Sequence, residues 1–233
     1  TNYPFRDIAN AYGEMAHRQV GGQGVAIADI DNNDEQDLYI STFYTNGYDL
    51  PNLLYAQNNN VFQEEAAARN VNDQAFTYQS LYGDFDNDGD NDLFVVNYHS
   101  SSYPSQPNHL YLNSGNGTFV DNSSNMSGNT ASDSKSATML DIENDGDLDV
   151  VVINNSDAHQ VYVNDGSARF NVQTRELENF RSPSSSFQGV ASGDMNKDGF
   201  QDLVLVHSNG MYIIRNDGNG YFTTASTLSV TNK

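Results

Sequence analysis

Four aspartate-rich stretches of nine residues are the part of this chain best suited to chemistry. The second, residues 84–92, reads DFDNDGDND, with a carboxylate at every second position and a glycine at the sixth. Such closely spaced like charges repel each other unless a cation lies among them. Because carboxylate and amide oxygens are hard ligands, the pattern favours Ca²⁺. The glycine permits the positive φ of a sharp turn.

The stretches recur at similar intervals, which indicates a repeat. They begin at Asp29, Asp84, Asp141 and Asp194, at spacings of 55, 57 and 53 residues, and contain 18 of the 31 acidic residues. An EF-hand would need a glutamate at position 12, but the second stretch has Val95 there. Solvated turns without metal are the other alternative, and they would leave the carboxylates unopposed.

Short apolar segments flank every loop and must position it. One segment precedes each loop, and a second, continuously apolar segment follows it directly. A third and a fourth segment come later in each repeat. The fourth carries a phenylalanine: Phe62, Phe119, Phe170 or Phe222. Continuous apolar segments are typical of strands covered on both faces. We therefore predict an all-β protein of four four-stranded antiparallel units. Radial stacking of such units as the blades of a β-propeller would bury both faces of each.

No linker divides the chain, so we predict a single β-propeller domain spanning residues 1–233. Its repeats cover residues of about 10–66, 67–123, 124–175 and 176–227. Residues 1–9 form an extra segment like a fourth strand, because Phe5 precedes Phe62 by 57 residues, as Phe62 precedes Phe119. Four blades would make a small closed propeller or part of a larger one. The surplus strand would complete a neighbouring subunit, close the last blade in place of the strand carrying Phe222, or belong to a blade of a longer protein of which this sequence is a part.

The loop signature D-x-[DN]-x-[DN]-G-x-x-D between two strands resembles the FG-GAP/VCBS repeat family, which includes the propellers of integrin α-subunits. The resemblance covers residues 24 to about 222. It implies a Ca²⁺ loop between strands one and two of each blade, and therefore about four ions. The implied ligands are the side chains at positions 1, 3, 5 and 9 and the carbonyl at position 7: Asp29, Asp31, Asn33, Glu35 and Asp37; Asp84, Asp86, Asp88, Asp90 and Asp92; Asp141, Glu143, Asp145, Asp147 and Asp149; Asp194, Asn196, Asp198, Phe200 and Asp202.

Two loops depart from this signature. In loop three, Glu143 is one methylene longer than the usual aspartate at position 3. In loop one, Asp34 occupies the glycine position. Aspartate tolerates the left-handed conformation better than most residues, but at some strain. We therefore expect loop one to be the weakest site.

Several features argue against other classes of protein. The five histidines do not cluster in sequence, no H-E-x-x-H or G-x-S-x-G motif occurs, and the paired carboxylates are already needed for metal, so we predict that the chain is not an enzyme. A net charge of −21 disfavours nucleic acid as a partner. No apolar segment approaches the roughly 18 residues of a membrane span.

Aromatic residues between strands two and three of the first two repeats are candidate ligand-binding residues: Tyr44, Tyr48, Tyr98 and Tyr103. In an integrin-like propeller these loops lie opposite the Ca²⁺ loops. The rings suit stacking on a sugar or a protein contact, although strand-end packing is the simpler alternative.

We predict a secreted or cell-surface, calcium-stabilised β-propeller that serves adhesion, binding or structural assembly. Its partner would be an extracellular protein, a glycan or copies of itself through the N-terminal strand. The alternatives are a carbohydrate-binding lectin and a propeller appendage of a secreted polysaccharide-degrading enzyme. Four N-glycosylation sequons are no more than chance provides and leave open whether the protein is a glycoprotein: Asn116, Asn122, Asn125 and Asn154.

Overall fold

The computed structural model describes residues 22–42, 51–99, 106–173, 177 and 186–229. Those residues form seventeen β-strands and one short 3-10 turn, Ser123–Asn125, with no longer helix among them. The prediction of an all-β protein is therefore confirmed. The predicted strand-like segment at residues 1–9 and the candidate residues Tyr44, Tyr48 and Tyr103 lie outside the described part of the chain.

Four antiparallel sheets follow one another along the chain, and in each of them strands adjacent in sequence are paired. Sheet 1 contains β1 (Gly22–Ala28), β2 (Asp37–Thr42), β3 (Leu53–Asn58) and β4 (Val61–Glu64). Sheet 2 contains β5 (Thr77–Gly83), β6 (Asp92–Asn97), β7 (His109–Asn113) and β8 (Phe119–Asp121). Sheet 3 contains β10 (Ser134–Leu140), β11 (Asp149–Asn154), β12 (Gln160–Asn164) and β13 (Phe170–Gln173). Sheet 4 contains β14 (Phe187–Gly193), β15 (Asp202–His207), β16 (Gly210–Asn216) and β17 (Phe222–Ser229).

One strand was not predicted from the sequence. The two-residue strand β9 (Met126–Ser127) pairs in parallel with β13 and makes sheet 3 five-stranded. A two-residue strand carries no periodicity, so the sequence pattern could not reveal it.

Each acidic stretch forms the hairpin loop between the first and second strands of its sheet. The last residue of the first strand pairs with the ninth residue of the loop in all four cases: Ala28 with Asp37, Gly83 with Asp92, Leu140 with Asp149, and Gly193 with Asp202. The fold therefore brings all four loops to the same end of their sheets.

Consecutive sheets are joined by apolar clusters. Tyr39 and Leu54 of sheet 1 pack with Leu93 and Val95 of sheet 2. Similar clusters join sheet 2 to sheet 3, around Phe94 and Val152, and sheet 3 to sheet 4, around Val151 and Leu205. The first strands of consecutive sheets pack side by side, whereas in the described ranges sheet 1 and sheet 4 share no comparable contact.

Burial of the second strands follows this order. β6 and β11 are buried at every residue, as predicted for strands covered on both faces, whereas β2 and β15 are buried only in part. The difference follows from the packing of the described residues, in which sheets 2 and 3 have a neighbouring sheet on each side and sheets 1 and 4 have one on a single side.

Candidate metal centres

The backbone of the four loops follows one pattern of left-handed residues at positions 4 and 6. These residues have φ values between 58° and 96°: Asn32 and Asp34, Asn87 and Gly89, Asn144 and Gly146, and Lys197 and Gly199. Asp34 takes the left-handed conformation expected of it, with φ of 68°. Loop one therefore has the shape of the others in spite of its missing glycine.

The carboxylate at position 1 holds this turn in place. In loop two, Asp84 accepts the backbone N–H of Asp88 at 3.1 Å and that of Gly89 at 3.0 Å, one on each oxygen. The first aspartate of each other loop accepts the same two N–H groups: Asp29, Asp141 and Asp194. The position-5 side chain in turn accepts the N–H of position 7 in every loop.

The aspartate at position 9 is buried and joins the loop to the third strand. In loop two, Asp92 accepts the N–H of Phe85 at 2.9 Å and the N–H of Asn113 at 2.8 Å. Equivalent pairs of hydrogen bonds form at the other ninth positions: Asp37, Asp149 and Asp202. All four side chains are buried. The position-9 carboxylate therefore holds the loop in place through hydrogen bonds that do not depend on a bound ion.

Position 3 differs in loops one, two and three, where the carboxylate has an oxygen that no described residue satisfies. Among the described residues, Oδ1 of Asp31, Oδ1 of Asp86 and Oε2 of Glu143 are buried and accept no hydrogen bond. A buried carboxylate oxygen without a partner is costly. Carboxylate oxygens also converge to within 4.8 Å of one another in two loops, at Asp29, Asp31 and Asp37 and at Asp84, Asp86 and Asp88. These donor sets fit a hard divalent cation.

Burial makes several of these carboxylates reluctant to ionise without a cation. It raises the pKa of Asp92 to about 7, although hydrogen bonds from Asn113 and Phe85 pull in the opposite direction. Burial also raises the pKa values of Asp37, Asp86 and the adjacent pair Glu143 and Asp149. A bound cation would favour the charged forms and reverse these shifts.

Loops one and four each depart from this arrangement. In loop one, the Arg69 guanidinium lies 3.1 Å from Oδ2 of Asp31, so it already neutralises part of the negative charge. In loop four, the Asn196 amide donates to Asp198 at 2.7 Å, and both residues are exposed. Loop one was predicted to be the weakest site, and this ranking remains a prediction, since its carboxylates converge as closely as those of loop two.

Asparagines connect neighbouring loops, and the sequence analysis missed them. Asn32 at position 4 of loop one donates to Asp90 at position 7 of loop two, and Asn87 donates in the same way to Asp147, both at 2.8 Å. The asparagine that ends the third strand also donates to the position-2 carbonyl of the preceding loop. These pairs are Asn113 with Ile30, Asn164 with Phe85, and Asn216 with Ile142. Asparagine recurs in the sequence at loop position 4 and at the end of the third strand, and this recurrence could have indicated the connections.

Tyr98 is the one proposed ligand-binding residue that the structure describes. It follows β6, at the end of sheet 2 opposite the loops, and bridges to Asp133. Its ring packs edge-on against Tyr78, with centroids 5.1 Å apart, and Lys135 Nζ lies 5.7 Å from the Tyr78 centroid. Both tyrosines are half-buried.

Comparison with protein families identified one matching profile. The profile of the FG-GAP-like repeat matches residues 84–152 and 141–205, which together span just over half of the chain. A search of curated proteins found no match. No helix among the described residues is long and apolar enough to cross a membrane.

Solved structures with a similar fold were also found. An Agrocybe aegerita lectin, described for its recognition of non-reducing terminal N-acetylglucosamine, is 19% identical with a TM-score of 0.54, over 87% of this chain and 51% of the lectin. BBS1N, solved in complex with ARL6DN, is 11% identical with a TM-score of 0.55, over 91% of this chain and 59% of its own. The chain therefore spans between half and three-fifths of these structures.

Proposed function

Because the chain belongs to the FG-GAP-like repeat family, we propose that it is a non-catalytic, calcium-stabilised binding module with β-propeller architecture. The four successive antiparallel sheets, joined face to face by apolar clusters, support that architecture. The likeness to two larger solved structures at TM-scores above 0.5 agrees with it. The proposed domain is a single one, with the repeat boundaries given above.

The observation that carries the calcium assignment is the unsatisfied oxygen at position 3. Residues at positions 1, 5 and 9 accept backbone N–H groups, whereas buried oxygens of Asp31, Asp86 and Glu143 accept nothing from the described residues. The side chains at positions 1, 3, 5 and 9 and the carbonyl at position 7 would hold the ion. The position-7 side chains of Asp90 and Asp147 already bond to neighbouring loops, which suits a carbonyl role.

Within this proposal the ion supplies positive charge that the loops lack, and the chain's own residues shape the turn. Each loop connects the first two strands of its sheet, so a stabilised loop fixes the hairpin on which the sheet is built. At a free Ca²⁺ concentration ten times the dissociation constant, one site adds about 1.4 kcal/mol to the free energy of unfolding. Four independent sites would add roughly 5–6 kcal/mol, comparable to the stability of a typical domain.

The proposal places the protein outside the cell. Extracellular calcium modules bind at roughly 10⁻⁴–10⁻³ M, where the ion is abundant, and such sites would be poorly filled in the cytosol. Filled, structural sites of this kind offer no open coordination position for catalysis. The partner would be an extracellular protein, a glycan or a copy of the chain.

Native mass spectrometry in millimolar Ca²⁺ tests the assignment. We expect about four bound ions, and one fewer in the Asp86→Ala variant, since position 3 of loop two is lost. Asp121→Ala is a matched control at an acidic residue of β8 outside the loops, and it should keep every ion. Failure to retain any calcium at millimolar concentration would refute the metal assignment.

Glycan binding is a second candidate, favoured by the packed pair Tyr78 and Tyr98 beside Lys135. Aromatic rings with polar neighbours can stack on a sugar face. The similar Agrocybe aegerita lectin is consistent with this candidate but is only 19% identical. A glycan array compares the chain with Tyr98→Ala, and Tyr221→Ala, an exposed tyrosine near β17, is the control. A hit that Tyr98→Ala abolishes would support glycan binding at this pair, and the absence of any hit would reject it.

A further inference from the structure

No other sheet among the described residues packs against the outer faces of sheets 1 and 4, and both faces leave apolar side chains exposed. At each internal junction the second strand of the later sheet contributes two fully buried residues. These are Leu93 and Val95, Val150 and Val152, and Leu203 and Leu205, all 0% exposed. The earlier sheet contributes the alternate residues of its own second strand. Every junction is therefore built from the same positions of the repeat.

The free face of sheet 1 is defined by Val25, Ile27, Leu38 and Ile40. Its second-strand residues occupy the repeat positions that the later of two neighbouring sheets contributes to an internal junction. Val25 pairs with Ile40 and Ile27 with Leu38, so the four side chains share one face. Val25 is 56% and Ile27 57% exposed. Leu38 and Ile40 are half-buried, although their counterparts at the internal junctions are completely buried. Leu53 and Tyr55 of β3 lie on the same face and are buried, so the exposed part of the face is confined to β1 and β2.

The free face of sheet 4 is defined by Met195, Val204, Val206 and Ile213. Its residues occupy the repeat positions that the earlier of two neighbouring sheets contributes to an internal junction. Met195 at position 2 of loop four is 53% exposed, whereas Ile30, Phe85 and Ile142 at the same position are at most 1% exposed. Val206 is 41% exposed, and its counterparts Val96 and Ile153 are 0% exposed. The two free faces are thus the two halves of one more junction.

Polar groups at the edges of the two free faces also match, because one face carries the donors and the other the acceptors that meet at internal junctions. Across all three internal junctions a third-strand amide donates to the position-2 carbonyl, and across the first the position-8 amide of Asn91 donates to the Asp29 carbonyl at 3.1 Å. On sheet 1 the corresponding positions hold the amides of Gln57 and Gln36. On sheet 4 the corresponding acceptors are the carbonyls of Met195 and Asp194.

The bond between positions 4 and 7 would become an ion pair at such a junction. At the first two internal junctions, Asn32 donates to Asp90 and Asn87 to Asp147. At the third, the two positions hold Asn144 and Phe200, whose side chain offers no acceptor.

Position 4 of the last loop is Lys197, and position 7 of the first loop is Glu35. The Glu35 carboxylate accepts the N–H groups of Asn59 at 2.6 Å and Asn60 at 2.9 Å and still carries its negative charge. Opposite charges therefore occupy the two positions that this junction would bring together, which no internal junction has.

We propose that the free face of sheet 4 packs against the free face of sheet 1 in a second copy of this chain. The inference rests on the proposed propeller architecture. A head-to-tail contact of this kind gives a closed ring when the rotation that relates one subunit to the next divides evenly into a full turn. Two chains would then form one ring of eight sheets with two identical junctions, within the size range of known propellers. Each junction would bury the exposed valine, isoleucine and methionine side chains named above.

Light scattering coupled to size exclusion tests this, using the whole chain in Ca²⁺ and physiological salt to screen its negative charge. We expect twice the monomer mass of 25.7 kDa. Val206→Arg should give the monomer mass because it inserts a charge into each junction. The matched control is Val120→Arg, at a residue 60% exposed on β8 of sheet 2, and this variant should keep the double mass. A monomeric wild-type chain, or a dimer that Val206→Arg leaves intact, overturns the proposal.

A charge reversal at an exposed residue keeps the test independent of any folding defect in Val206→Arg. Lys197→Glu should weaken the dimer at least tenfold in dissociation constant, whereas Lys197→Arg, which keeps the positive charge, should leave it unchanged. Equal dissociation constants for Lys197→Glu and Lys197→Arg would contradict the proposed pairing. Calcium binding is measured on the same samples. A monomer that binds calcium would overturn only the dimer, whereas a chain that binds none would refute the proposed function itself.

Discussion

At the scale of single residues, the aspartate at position 9 combines two roles. Asp92 is buried, accepts two backbone N–H groups, and has a pKa raised to about 7 by burial. Its hydrogen bonds hold loop and strand together, while its charge is unfavourable unless a cation is near. The same residue type therefore shapes the turn and favours the metal.

Asp92→Asn separates these roles. The amide offers one acceptor oxygen to two N–H groups, so one group loses its partner at a cost of roughly 1–3 kcal/mol. In Ca²⁺ we expect a further loss of about 1–2 kcal/mol, because the metal ligand is also gone. Chemical denaturation in Ca²⁺ and in EDTA measures both.

Asp90→Asn is the matched control for this substitution. Its side chain accepts from Asn32 and can still do so as an amide, so the stability should change by less than about 0.5 kcal/mol. Equal losses for Asp92→Asn with and without calcium would contradict its role as a metal ligand.

A second residue-scale prediction concerns pH. Burial lowers the pKa of His109, but the hydrogen bond and charge of Asp73, 2.8 Å away, raise it more, so the net shift is upward from 6.5. The folded state therefore binds the proton more tightly than the unfolded state. The pair stabilises fully below about pH 6.5, and this contribution disappears as pH rises through the higher folded pKa.

A double-mutant cycle with His109→Asn and Asp73→Asn measures this coupling in saturating calcium. We expect roughly 1–2 kcal/mol at pH 5.5 and much less at pH 9. A coupling that does not change with pH would show that the imidazole is neutral throughout.

At the scale of structural elements, the hairpin loop is the unit that the sequence describes best. The spacing of aspartates predicted four loops between first and second strands, and the pairing of Gly83 with Asp92 and its equivalents confirms this. The strands could be predicted because each apolar segment is bounded by turn residues. The connections between loops could not, since hydrogen bonds such as Asn164 to Phe85 join residues 79 positions apart. Local patterns carry no information about such partners.

The left-handed position 6 gives an element-scale prediction. Asp34→Gly should stabilise the protein by up to about 1 kcal/mol and tighten calcium binding by loop one, because glycine adopts φ of 68° without strain. Thermal denaturation and calcium titration measure the two effects.

The reciprocal substitution is the control for Asp34→Gly. Gly89→Asp in loop two should destabilise by roughly 1–2 kcal/mol. A Cβ at Gly89 would meet no atom within 4 Å, so the cost would come from the left-handed backbone and the added negative charge rather than from a clash. Loss of stability in Asp34→Gly would mean that the Asp34 side chain does something that the left-handed turn does not explain.

At the scale of the whole molecule, the part of the chain that the structure describes distributes its stability over three junctions between sheets and four loops. The acidic composition predicted the loops, and the continuous burial of β6 and β11 was predicted from their apolar residues. The exposed outer faces could not be predicted, because Val206 and Val96 occupy equivalent positions, and only Val96 has a neighbouring sheet against it among the residues that the structure describes. Burial of the first and last sheets depends on what packs against their outer faces, and the sequence of a single repeat does not encode that.

The central claim, that calcium braces this repeat protein, is tested most directly by calorimetric unfolding of the whole chain. The chain would be melted in excess EDTA and again after Ca²⁺ is restored to tenfold above the dissociation constant. A gain of roughly 5–6 kcal/mol corresponds to a rise in Tm of about 10–20 °C for a chain of this length. Mg²⁺ at the same concentration should raise Tm far less, because it demands a tighter octahedral shell. Superimposable melting curves in EDTA and in calcium would contradict the account.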